Sequence, residues 1–189
     1  MIMDRIEVKN DVNMVLDRIE KGQWTLPSST QALKSSALYP MSWLLFYSTA
    51  LAWIVLNFTP PTDNPWINPL MHYLGLMLAF GVFTALLAVA ITGVFYGQAL
   101  VFFALKEPAR KQSIVIRSLT LRFKRTGGFF TLVNFGYAII CIIDPNAFYG
   151  APVMMLISLI VMQIIINCGV ARYGIGPLMQ KLSTLVKKI

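Results

Sequence analysis

The stretch that decides the fold runs from residue 69 to residue 105 and reads PLMHYLGLMLAFGVFTALLAVAITGVFYGQALVFFAL. It contains no Lys, Arg, Asp or Glu. A helix needs about 20 mostly apolar residues to cross a hydrocarbon layer of about 30 Å. The stretch therefore predicts a helix that spans a membrane.

The whole chain has the same apolar character. Of its 189 residues, 57% are hydrophobic and 13% are charged, and its mean hydropathy is +0.66. In soluble domains about a quarter of the residues are charged, and a chain of this length buries too little surface to hide the surplus. The composition indicates a membrane protein and argues against a soluble enzyme.

Three further stretches are apolar enough to span a membrane, at about 38–58, 128–143 and 151–170. Together with 69–105, they predict an all-α, polytopic membrane protein with four transmembrane helices. The second stretch would be about 55 Å long as one helix. It is either one long helix or two short crossings that turn near Thr92 and Gly93.

The distribution of Lys and Arg decides between these two alternatives. With one long helix, all 16 basic residues lie on one side of the membrane, in an N-terminal segment 1–37, a loop 106–127 and a tail 171–189. Short cytoplasmic loops are enriched in Lys and Arg. We therefore expect a transmembrane domain over 38–170, with both termini in the cytoplasm.

The cytoplasmic segments have the patterns of amphipathic helices. One is expected near the N-terminus, capped by Asn10 or Asp11. A second apolar stripe, with basic residues beside it, and a third in the tail predict helices that lie on the inner membrane surface or on one another. The alternation of Leu119, Leu121 and Phe123 also suits a strand. The second stripe comprises Val115, Ile116, Leu119 and Phe123.

The predicted spans contain no Asp, Glu, Lys or Arg, which argues against an ion-coupled transporter, a proton pump or a voltage sensor. We predict no catalytic, cofactor-binding or metal-binding residue. His72 is interpreted as part of an interfacial aromatic belt, with a general base as the alternative. Asn134, Gln163 and Asn167 are expected to bond between helices, although they would also suit a path for a small neutral solute.

A line of small residues on the second span predicts close helix packing. Gly93 and Gly97 form a GxxxG motif, and Gly81 and Ala85 extend it on nearly the same face. Small side chains let two helix backbones approach closely. We favour packing within the chain, and a homodimer is the alternative.

Seven basic residues lie between positions 106 and 125. Such clusters beside a span bind anionic lipid, at about 1 kcal/mol for each charge near the surface. This interpretation is preferred to nucleic-acid binding, for which no recognisable fold is present. Trp24, Leu26 and Pro27, just before the first span, are either an interfacial anchor or a docking element for a partner.

Residues 16–28, which read LDRIEKGQWTLPS, place a short charged helix, a glycine and a hydrophobic-Pro-Ser step before the first span. This layout, with Ala171, Arg172 and Tyr173 before an amphipathic tail, resembles the entry exclusion proteins of conjugative plasmids of the TraS type. The resemblance implies a protein of the bacterial inner membrane that lowers the cell's competence as a recipient of conjugative DNA.

The resemblance also implies recognition without catalysis. The expected partner is a TraG-like membrane protein of the donor's mating apparatus. The candidate partner-binding residues are Trp24, Leu26, Pro27, Arg117, Arg122, Lys124 and Arg125. Two other functions remain open, namely immunity against a pore-forming bacteriocin and a small transporter or channel subunit for a neutral solute.

The predicted sidedness is testable by cysteine labelling. In a variant that carries R117C and has Cys141 and Cys168 replaced by Ala, a membrane-impermeant maleimide is expected to react only after the cells are permeabilised. Labelling of intact cells would contradict the proposed orientation.

Overall fold

The computed structural model describes residues 10, 11, 13, 14, 17, 28–59, 69–104 and 112–172. Four long helices account for most of them: α1 (Ser29–Leu56), α2 (Pro69–Ala104), α3 (Ile114–Ile143) and α4 (Ala151–Arg172). Each is long and apolar enough to cross a membrane. The prediction of an all-α, four-span protein is confirmed.

Helix α2 is continuous over 36 residues, about 54 Å. The alternative of two crossings with a turn at Thr92 and Gly93 is therefore wrong. Thr92 lies inside the helix, where its hydroxyl donates to the carbonyl oxygen of Ala88 at 2.8 Å. A threonine hydroxyl satisfied by its own helix in this way does not interrupt a membrane span.

Helix α1 begins at Ser29, well before the apolar stretch that predicts the first span. Ser28 caps it: the backbone N–H of Gln31 donates to the Ser28 hydroxyl at 3.4 Å. Pro40 lies inside the helix without ending it. The helix boundary is thus set by a capping side chain, whereas the hydropathy of the sequence indicates only where the apolar part starts.

Helix α3 differs most from the sequence-based expectation. Residues 114–127 were expected as part of a cytoplasmic loop with a separate amphipathic helix, but they form one uninterrupted helix with the third span. Gly127 and Gly128 do not break it. Leu119, Leu121 and Phe123 are helical, so the strand alternative for these residues is wrong.

The connection between α3 and α4 is a short 3-10 helix, Pro145–Gly150, and not an irregular loop. Asp144 caps it by accepting a hydrogen bond from the backbone N–H of Asn146 at 3.0 Å. The Tyr137 hydroxyl donates to the carbonyl oxygen of Ala147 at 2.9 Å, which fastens this connection to α3.

The described residues fall into two compact units. The first unit contains the described residues up to Ser36, together with 93–127 and 161–172, and the second contains 37–59, 69–92 and 128–160. In the first unit, the rings of Phe95 and Phe123 pack edge to face at 5.8 Å. The second unit has a buried aromatic core that comprises Trp43, Tyr47 and Phe148.

Many large apolar side chains lie on the outward faces of the helices. On α2, Val82, Leu86 and Val89 are each more than 60% exposed. In water such a surface would be costly, at about 25 cal/mol for each Å² of exposed apolar area. In a bilayer the same side chains contact lipid tails, as a membrane-spanning helix requires.

The small residues of α2 do not share one environment. A Cβ atom at Gly81 would lie 2.6 Å from Cδ2 of Leu51 on α1, so the two helices approach closely there. Ala85, one turn further, is half-buried. At Gly93 and Gly97, no atom of the described residues lies within 4 Å of the corresponding position, and both glycines are exposed.

We expect Gly81→Leu to lower the free energy of unfolding by about 1–3 kcal/mol, because the new side chain overpacks the contact with Leu51. The matched control, Gly93→Leu, adds the same side chain to the same helix in open space and is expected to change stability by less than about 0.5 kcal/mol. Reversible unfolding in detergent measures both. Equal effects at the two positions would show that Gly81 is not a close-packing site.

Candidate functional site

A hydrogen-bond network that involves three helices lies in the second unit, with Asn134 of α3 at its centre. The Tyr47 hydroxyl on α1 donates to Oδ1 of Asn134 at 2.8 Å. The amide nitrogen of Asn134 donates to the carbonyl oxygen of Phe130 at 2.8 Å and to Oγ of Ser158 on α4 at 2.9 Å. Tyr47, Asn134 and Ser158 are each at most 1% exposed.

This network uses both N–H donors of the Asn134 amide. The Ser158 hydroxyl in turn donates to the carbonyl oxygen of Met154 at 2.8 Å. A buried polar group in hydrocarbon is costly unless it is paired. Asn134 therefore serves as a structural link between α1, α3 and α4. A second link lies nearby along the same helices, where the indole N–H of Trp43 donates to Thr131 at 3.2 Å.

The first unit holds a separate polar contact. Nε2 of Gln98 on α2 donates to Oε1 of Gln163 on α4 at 2.9 Å. Asn167, one turn further along α4, is exposed. The three polar residues that would suit a solute path are thus distributed over two units, with Asn134 in one and Gln163 and Asn167 in the other.

The N-terminus of α3 is capped from a distant part of the sequence. Oδ2 of Asp11 accepts hydrogen bonds from the Ser113 hydroxyl at 2.7 Å and from the backbone N–H of Val115 at 3.1 Å. Ser113 itself accepts from the N–H of Ile116 at 3.2 Å. A carboxylate at this position satisfies free N–H groups and interacts favourably with the helix dipole.

Asp11 therefore has a different role from the one expected. Asn10 and Asp11 were considered as caps of their own short helix, but both are helical. Asp11 is instead buried against the start of α3. The Ser113 hydroxyl just before an apolar stripe is the kind of sequence signal that could have located this helix start.

Three of the four basic candidates on α3 lie on its outer surface. Arg117, Lys124 and Arg125 are exposed, whereas Arg122 is half-buried. No described carboxylate forms an ion pair with Arg117, Lys124 or Arg125. These three residues, which we call the basic face, present unpaired positive charge to whatever surrounds the helix.

Other candidates lie outside the described residues. These are Trp24, Leu26 and Pro27, and also the side chain of His72, whose backbone belongs to α2. Within the described residues, no group of three or more His, Cys, Asp or Glu side chains is placed to hold a metal ion. The described Cys141 and Cys168 are free thiols.

Comparison with protein-family models, curated proteins and solved structures found no match to this chain.

The role of Asn134 is testable by a double-mutant cycle. Asn134→Ala removes the bonds to Tyr47 and Ser158, while Tyr47→Phe removes only one of them. We expect a coupling energy between the two changes of about 0.6 kcal/mol and no more than about 1.7 kcal/mol, the average and the maximum found for hydrogen bonds between membrane helices. Thermal or denaturant unfolding in detergent measures the free energies of unfolding of the unchanged protein, the two single variants and the double variant.

Asn167→Ala is the matched control, since it truncates an exposed asparagine and is expected to change stability by less than about 0.5 kcal/mol. A cycle with no coupling between Tyr47 and Asn134 would contradict the structural role of the network.

Proposed function

We propose that this protein is a non-enzymatic recognition protein of the bacterial inner membrane that lowers incoming conjugative transfer, in the manner of the TraS-type entry exclusion proteins it resembles. In this proposal the four helices hold cytoplasmic segments that bind a TraG-like component of the donor's mating apparatus. Both termini and the start of α3 face the cytoplasm.

One observation supports recognition over transport. The buried amide of Asn134 is bonded to Phe130, Tyr47 and Ser158, and its two donors are both used. A solute path needs polar groups that are free to exchange partners with the solute, as in other membrane pathways. Asn134 is committed to holding helices together, so it offers no free polar group to a solute.

The docking determinant is assigned to the segment that contains Trp24, Leu26 and Pro27. A tryptophan beside a leucine combines a large apolar area with few rotatable bonds, and Trp is enriched among the residues that dominate binding energy. This segment directly precedes Ser28, which caps α1.

The proposal is tested by conjugation into recipients that express the chain. Donors carry plasmids with different TraG-type proteins, and transconjugants are counted for each donor. We expect transfer from a matched donor to fall without a loss of growth. The double variant W24A/L26A is expected to restore transfer by about tenfold or more, since the loss of a dominant contact costs about 2 kcal/mol.

Trp53→Ala is the matched control, because Trp53 is an exposed tryptophan within the span of α1. It is expected to leave exclusion unchanged at equal protein level in the membrane fraction. Unchanged transfer from every donor would contradict the proposed function. Protection against a pore-forming bacteriocin in the same cells would instead support the immunity alternative.

A further inference from the structure

The structure points to a second binding property that does not depend on the exclusion proposal. We propose that the basic face of α3, formed by Arg117, Lys124 and Arg125, binds the phosphate groups of anionic phospholipids.

The three residues lie on one side of the helix. At 3.6 residues per turn, Arg117, Lys124 and Arg125 fall within an arc of about 100°. Along the helix axis, Arg117 lies about 10 Å from Lys124. Positive charge is therefore arranged as a strip that runs parallel to the axis of α3 and faces outward.

The strip lies where the helix leaves the hydrocarbon. Helix α3 has 30 residues and is about 45 Å long, while the hydrocarbon layer is about 30 Å thick. About a third of the helix must extend beyond that layer. Within α3, every Lys and Arg occurs between positions 117 and 125, and 126–143 carries none, so the N-terminal third is the part that extends.

The depth of the strip matches the layer of lipid phosphates. The headgroup regions add about 5–8 Å to each side of the hydrocarbon. Lys124 and Arg125 lie close to the hydrocarbon side of this region, and Arg117 lies about 10 Å further along the helix, a few Å beyond its water side. Long basic side chains reach along the helix to place their charges at the phosphate level while their stems stay in apolar surroundings.

Apolar side chains on the same face favour lipid over a purely aqueous environment. Ile114 is 47% exposed and Leu121 is 50% exposed, and both project within the arc of the basic residues. On such a face, Lys and Arg pack their aliphatic stems along the apolar side chains while their charges reach the lipid headgroups. A nucleic acid would pair with the cations but would leave Ile114 and Leu121 in water.

Arg122 is not part of this surface. It lies outside the arc, is half-buried and already takes part in an interaction. The inference is therefore specific: three of the four basic residues of α3 bind lipid phosphate, and the fourth belongs to the packed side of the helix.

The experiment measures lipid binding to the full chain, purified in a non-ionic detergent. Phosphatidylglycerol and phosphatidylcholine with identical acyl chains are titrated separately, and bound lipids are counted by native mass spectrometry. We expect tighter binding of phosphatidylglycerol. Lys124→Gln is expected to reduce that affinity about fivefold, and the triple variant R117Q/K124Q/R125Q to abolish the preference, since each charge contributes about a fivefold factor.

Two controls distinguish lipid binding at a local site from binding that depends only on the net charge of the protein. The charge-conserving variant R117K/K124R/R125K is expected to keep the preference for phosphatidylglycerol. Lys34→Gln removes one exposed cation from α1 and is expected to leave the affinity unchanged. An equal loss in Lys34→Gln and Lys124→Gln would overturn the proposal, because binding would then follow net charge and not the basic face.

A triple variant that still prefers phosphatidylglycerol would also overturn it. If that variant at the same time loses exclusion in the conjugation assay, the face is assigned to a protein partner. If the triple variant does not fold, as judged by circular dichroism and elution volume, the comparison of Lys124→Gln with Lys34→Gln decides. Loss of lipid preference with intact exclusion leaves the proposed function standing, so the two proposals fail separately.

Discussion

A hydrocarbon environment offers no water to satisfy a polar group, and this constraint governs the protein from the backbone to the side chains. Each of the four spans is helical, so its N–H and C=O groups bond within the segment. The same requirement extends to the buried amide of Asn134, which obtains its partners from Tyr47 and Ser158 on neighbouring helices. Polar residues in these spans therefore determine which helices associate.

The consequences for function depend on which polar side chains have hydrogen-bond partners inside the protein and which lie on its surface. In the second unit, buried polar side chains bond to each other or to backbone carbonyl oxygens, as Trp43 and Asn134 do. In the first unit, Arg117, Lys124 and Arg125 keep their charges on the outside of α3. The charges of these three residues are therefore placed where a lipid or another protein would contact the helix.

The sequence was sufficient to predict the number of spans and the continuity of α2, because both depend on the lengths of apolar stretches and on the sidedness of Lys and Arg. It did not predict where α1 and α3 begin. Those boundaries are set by Ser28 and Ser113, which cap the helices, whereas hydropathy marks only the entry into lipid. The basic residues of α3 could be identified in advance, but their division into an exposed face and a half-buried Arg122 required the helix register. The partners of Asn134 and Asp11 are separated from them by 87 and 104 residues, and a single sequence contains no signal for pairs so distant.

The contact between Asp11 and the start of α3 has a consequence for the order in which parts of the chain reach their final positions. The carboxylate appears early during synthesis, but the hydroxyl of Ser113 and the N–H of Val115 follow only after two helices have been completed. Asp11 therefore cannot form these two hydrogen bonds while α1 and α2 are being synthesised. It docks once α3 has emerged, so this early part of the chain is among the last to reach its final position.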